Sequence, residues 1–130
     1  MVMANYLADT TVLIDLFRGD PRASDFIKNG QSVISHVTAA ELFEGAINKQ
    51  HLAKLKRAID DLTAIPIEAP ISTLALNLIQ GYFLSNHMEF MDALIAATAM
   101  EHSLTLVTAN VKHFSFIKRL KLMDWKKAAG

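Results

Sequence analysis

Apolar positions along the chain fall into two alternating kinds of run. Short blocks of strand length, Tyr6 to Ala8, Ser32 to Ser35, Ile65 to Ile67 and Leu104 to Thr108, punctuate the sequence, and Leu120 to Met123 is a candidate fifth. Between these blocks the apolar residues recur at helical spacing. Thr11 to Phe17 continues straight from the first block, and "DPRASDFIKN" places Asp20 and Pro21 as N-cap and first helical residue. "TAAELFEGAINK" and "HLAKLKRAIDDL" repeat apolar residues along one face. Ile71 to Phe83 and Glu89 to His102 predict two more helices, the second alanine-rich and strongly apolar. Strands alternating with helices predict an α/β fold, with a central, mainly parallel sheet of four or five strands covered on both faces. No repeat, low-complexity tract or Gly/Pro/Ser-rich linker interrupts residues 1–130, so one domain is expected.

In open parallel sheets, ligands bind beyond the carboxyl ends of the strands, which makes polar residues there informative. Asp9 ends the first block. The second leads through His36 and Val37 into Thr38, with Glu41 three residues on, and the fourth ends in "VTAN", placing Thr108 and Asn110 at the same end. Asp92 lies in "EFMDALIAATAM", crowded by Phe90, Met91, Ala93, Leu94 and Ile95. Each has a local reading. Asp9 suits a helix cap, Glu41 the third position of a capping box begun by Thr38, and Asn110 a turn or a cap for "VKHF". Asp92 suits the positive end of its helix, although its apolar neighbours argue against that alone. Two or three carboxylates held together in a partly buried site repel one another unless a cation neutralises them, and Mg²⁺ or Mn²⁺ prefers oxygen ligands.

Composition narrows the classes. Thirteen basic and thirteen acidic residues cancel, so no global field attracts nucleic acid or membrane, while the absence of cysteine excludes disulfides and thiolate metal sites. No apolar stretch approaches the ~20 residues that span a bilayer, and no signal-like segment opens the chain, so a cytoplasmic protein is expected. Lys112, Lys118, Arg119, Lys121, Lys126 and Lys127 place six of the thirteen basic residues toward the C-terminus. Such a run is either a solvated face or a surface for phosphate.

"YLADTTVLIDLFRG", "ISHVTAAELFEGA" and "MDALIAATAMEHSLTLVTANVKHF" together resemble the PIN-domain family of metal-dependent nucleases, in particular the small VapC-type toxins of toxin–antitoxin systems. The resemblance implies a three-layer α/β/α fold and an endoribonuclease dependent on Mg²⁺ or Mn²⁺. It assigns Asp9, Glu41 and Asp92 as metal ligands and adds Asn110 to the catalytic set. Thr10, Thr108 and His113 take supporting roles, and Lys112, Lys118 and Arg119 are the implied RNA contacts. It further implies a homodimer and a VapB-type antitoxin, lying over the helices that carry Leu42, Phe43, Ala46, Ile47, Leu52 and Leu55. Two positions depart from the family pattern. Thr11 stands where Asn is usual, and Asn110 and His113 stand where a fourth acid is often found, which favours one bound metal over two. Two other classes compete. One is a catalytically silent PIN-like interaction module. The other is a receiver-like phospho-accepting domain, which needs an Asp ending its third strand and a Lys just after a later one, where this chain has Glu68 and "TAN".

Overall fold

The computed structural model describes residues 4–29 and 31–128. Five strands, β1 (Tyr6–Ala8), β2 (Ser32–Ser35), β3 (Ala64–Ile65), β4 (Thr105–Thr108) and β5 (Leu122–Asp124), form one sheet in the order β3-β2-β1-β4-β5. All four pairings are parallel, with Leu7 opposite Val33 on one side and Leu106 on the other. The receiver-like alternative fails here. A receiver-type sheet sets β3 beside β1, whereas this β3 lies at the edge beside β2.

Seven α-helices occur among the described residues: α1 (Thr10–Phe17), α2 (Pro21–Lys28), α3 (His36–Glu44), α4 (Lys49–Asp60), α5 (Ala69–Asn86), α6 (Phe90–Glu101) and α7 (Trp125–Ala128). Strand alternation divides the core. Leu7, Val33 and Leu106 join the cluster made with α5 and α6, while their neighbours Ala8, Ile34 and Val107 join Val12, Leu13, Ala23 and Trp125 on the other face. The result is three layers, helix on sheet on helix. None of the described helices is long and apolar enough to cross a membrane.

Several boundaries differ from the sequence pattern, each for a local reason. The expected helix over "TAAELFEGAINK" stops at Glu44, with Gly45 as its C-cap, and α4 starts at Lys49 because the Asn48 side chain accepts the His51 N–H at 2.8 Å. The Thr38 capping box does not form. Ser35 caps α3 instead, accepting the Val37 N–H at 3.0 Å, so Thr38 and Glu41 lie inside the helix. Strand β3 ends at Ile65, since Pro66 has no N–H to extend the ladder. Asp20 and Pro21 take their expected places, Asp20 accepting the Arg22 N–H at 2.9 Å.

A chain of rings pins α7 to the sheet. Trp125 is buried, its centroid 5.4 Å from that of Phe26, which lies 5.3 Å from Tyr6, and its Nε1–H donates to Asp15 Oδ2 at 2.8 Å. Trp125→Phe keeps most of the apolar surface but leaves Asp15 without that donor. We expect a loss of about 1–2 kcal/mol in urea unfolding, well below the ~3–5 kcal/mol of Trp125→Ala.

Candidate active site

The carboxyl end of β1 delivers Asp9, 5% exposed, into a ring of donors. Its side chain occupies the N-cap position of α1 yet makes no capping bond. Thr108, at the end of β4, donates to Asp9 Oδ2 at 2.7 Å, and Thr11 donates to the same oxygen at 3.2 Å. Each hydroxyl also accepts a backbone N–H from the turn after β4, Thr108 from Asn110 and Thr11 from Ala109, both at 3.0 Å. Two threonines thus tie the first strand's acid to the turn after β4 and satisfy one carboxylate oxygen, leaving the other for a ligand. Thr11 replaces the family's usual Asn and still supplies a polar contact.

Glu41 projects from α3, and Thr10 donates to its Oε1 at 2.8 Å. The Thr10 hydroxyl is also 3.1 Å from that of the fully buried Thr38. Asp92 enters from the first turn of α6, and its Oδ2 is 3.1 Å from His113 Nδ1. Burial pushes the Asp92 carboxyl above its ordinary range; nearby His113 opposes that shift, and Asp9 and Glu89 add to it. Asn110 precedes a short 3₁₀ turn, Val111–His113, and makes no side-chain capping bond.

Asp9, Thr10, Glu41, Asp92, Asn110 and His113 line one pocket of about 310 Å³, joined by Thr11, Glu89 and Phe114. Residues from four separate chain regions therefore meet at one end of the sheet. Among the described residues, no three His, Asp or Glu side chains are close enough as placed to hold a metal ion. Lys112, Lys118 and Arg119 do not line a single pocket. Lys112 lies in the pocket adjoining Asp92. Lys118 gives its backbone N–H to the Tyr82 hydroxyl at 3.2 Å. Arg119 lines a separate pocket with Ser103, Leu104 and Lys121, at the start of β4 and thus the far end of the sheet.

A long groove leads to Glu41. Between α3, α4 and β3, Ala39, Phe43, Leu52, Ile59 and Ile67 line an apolar depression of about 900 Å³. His36, Ala40 and Ile67 also border a second depression of about 500 Å³ that runs past Met91 to Glu41. Of the residues marked by the sequence, Leu42 and Leu55 are buried, whereas Leu52 and Ile47 remain exposed.

Residues 6–119 match the PIN domain. The chain belongs to the PIN-domain family. This PIN domain is 32% identical over 136 residues to Ribonuclease VapC1 of Haemophilus influenzae (strain R2866), the match covering 94% of this chain and 98% of the relative. It is 31% identical over 121 residues to Ribonuclease VapC19 of Mycobacterium tuberculosis (strain CDC 1551 / Oshkosh), over 88% of this chain and 96% of that one. A solved toxin–antitoxin complex from Klebsiella pneumoniae superposes with a TM-score of 0.76 at 31% identity, covering 92% of this chain and 96% of that chain. DNA-bound VapBC from Salmonella typhimurium shares the fold, with a TM-score of 0.81 at 20% identity over 95% and 99% of the two chains. Glu89 is the acid in the pocket of this PIN domain that the sequence pattern did not single out. Glu89 reads as a helix-start acid, and only its position at the N-cap of α6 without a capping bond reveals that its carboxylate is uncommitted.

Proposed function

We propose that this chain works as a single PIN-like domain, a divalent-metal-dependent endoribonuclease and the toxin of a toxin–antitoxin pair acting in the cytoplasm. The observation that carries the proposal is the convergence of Asp9, Glu41 and Asp92, from three different elements, on one pocket at the carboxyl end of the sheet. The site's chemistry fits Mg²⁺ or Mn²⁺: the acidic donors are all oxygens, and Asp92 is desolvated beside a second acid. Asp9, Glu41 and Asp92 would hold the ion, with Asn110 orienting the shell. Bound there, a divalent cation supplies Lewis acidity at a phosphodiester and lowers the pKa of water.

The protein's own groups prepare this site. Thr108 and Thr11 fix the rotamer of Asp9, and Thr10 steadies Glu41. Thr10 engages only Oε1 of Glu41 and His113 only Oδ2 of Asp92, so each acid keeps a second oxygen for a cation. Asn110 brings no charge, so the three acids balance one cation better than two. Thr108→Val retains shape but removes a donor from Asp9 and an acceptor from the Asn110 N–H. We expect Mn²⁺ affinity to fall about 10–100-fold by calorimetric titration, the usual scale for losing a supporting bond to a ligand.

The antitoxin reading draws on the relatives. Their complexes pair a toxin with an antitoxin, and here an apolar groove runs from α3 and α4 to Glu41. A partner segment seated in that groove would end against the acids and obstruct RNA. A homodimer is part of the same proposal. Lys112 is the cation best placed to meet an RNA phosphate beside the acids, with Lys118 more peripheral.

Purified protein incubated with total RNA is expected to cut at discrete internal positions with Mg²⁺ or Mn²⁺, and not with chelator present. Mapping the new 5′ ends, with an Asp92→Asn control, reads the result. Intact RNA at saturating metal would overturn the proposal in favour of a silent interaction module.

A further inference from the structure

Beside the acidic pocket, sharing Glu89, Asp92 and His113 with it, lies a second pocket of about 150 Å³. It falls below the ~300 Å³ at which sites for free drug-sized ligands begin, so it suits one ring of a polymer whose remainder lies elsewhere. Its lining mixes apolar surface with uncommitted polar groups. Met88 is buried and Phe116 half-buried, while the side chains of Glu89 and Lys112 make no hydrogen bond or ion pair among the described residues.

Two of the three rings in the lining, Phe116 and His87, pack against neighbours on α5. Phe116 packs on Tyr82 with centroids 5.2 Å apart, and His87 meets Phe83 edge-on at 5.8 Å. His87 also ends α5 in a left-handed backbone, φ 53°, a conformation that glycine adopts without penalty. The turn itself needs no imidazole there. A strained position that carries a ring into a pocket beside the acids points to a use for that ring.

A phosphate is a poor occupant, because Glu89 and Asp92 face it and His113 is already engaged by Asp92. A nucleobase is uncharged. It offers flat faces to Phe116 and His87, and an edge of donors and acceptors to Asn86, Glu89 and Lys112, the combination by which single-stranded RNA is read. We propose that this pocket seats one unpaired nucleobase of the RNA, next to the phosphate that lies over Asp9, Glu41 and Asp92, and makes the protein base-selective at that position. The inference rests on the ribonuclease reading for its substrate class and goes beyond it in naming what selects the sequence.

The test is binding without cleavage. A randomised pool of short RNAs is equilibrated with the full chain in chelator, where the metal-dependent cleavage cannot proceed, and the bound fraction is sequenced. Wild type is expected to enrich one base at one position by roughly tenfold. His87→Gly and Glu89→Gln are each expected to bring that enrichment close to uniform. Because glycine suits the backbone at 87, the thermal midpoint of His87→Gly should not fall much, which separates loss of reading from loss of fold. A bound pool without base preference, or a preference undiminished in both variants, overturns the proposal. If base-selective binding persists while no RNA is cut under any metal condition, the nuclease reading fails and the pocket stands; metal-dependent cleavage with an unselective bound pool has the opposite meaning.

Discussion

Asp92→Asn is expected to abolish metal-dependent RNA cleavage and, in the same molecule, to raise the thermal midpoint of the metal-free protein at neutral pH. Supporting bonds to metal ligands are worth about 10–100-fold, so losing a charged ligand should cost more than about 100-fold in rate. The stability change has its own cause. Burial holds the Asp92 carboxyl above its ordinary 3.8, which means that the folded chain binds this proton more tightly than the unfolded chain does. The cost of the charge is therefore absent below 3.8 and grows as pH climbs through the raised folded value. Asparagine never carries that charge and retains an oxygen that can accept from His113. Scans from roughly pH 3 to pH 8 should show the two midpoints diverging above the ordinary carboxylate range. A variant that cut RNA at the wild-type rate would remove Asp92 from the ligand set.

Phe114→Ala is expected to cost as much stability as Trp125→Ala and, unlike it, to disturb the acidic pocket as well. Phe114 is 1% exposed, belongs to the core cluster beneath α5 and α6, and directly follows the turn that carries Lys112 and His113. Deleting a buried ring of this size costs about 3–5 kcal/mol, a large share of a small domain's stability. Its neighbours also line the acidic pocket, so cleavage should fall even in the fraction that stays folded. Phe114→Leu should recover most of both losses, since it refills much of the space. Urea titration of the pair measures the first effect and RNA cleavage the second. Equal stability of Phe114→Ala and wild type would show that this ring does not hold the site to the core.

Strand positions were legible because Leu7 and Ala8, Val33 and Ile34, and Leu106 and Val107 each send one apolar side chain to either face, a pattern that few other structures need. The break between α3 and α4 was not. "AELFEGAINK" keeps helical apolar spacing through Gly45, and only the Asn48 cap decides where the next helix starts. Glu41 illustrates the limit of local motifs. Thr38 and Glu41 have the spacing of a capping box, yet Ser35, at the very end of β2, captures the helix start first. The family pattern gathered Asp9, Glu41 and Asp92 into one set, and the fold brings them to one pocket. Glu89 was hidden for a different reason. Its place in the pocket depends on how α6 approaches β1, which no neighbouring residue encodes.

The middle position of β1 has a consequence for the birth of the protein. Asp9 is among the first residues a ribosome makes, but Thr108, which donates to its carboxylate, lies 99 residues later, and β1 pairs with β4 through Tyr6 and Thr105. During synthesis β1 is flanked only by β2, and the closing of so long a loop must await the last quarter of the chain. Until β4 and the turn after it are made, the Asp9 carboxylate lacks its Thr108 donor and the pocket lacks Asn110 and His113, so a prematurely terminated fragment without β4 has no assembled acidic pocket to use.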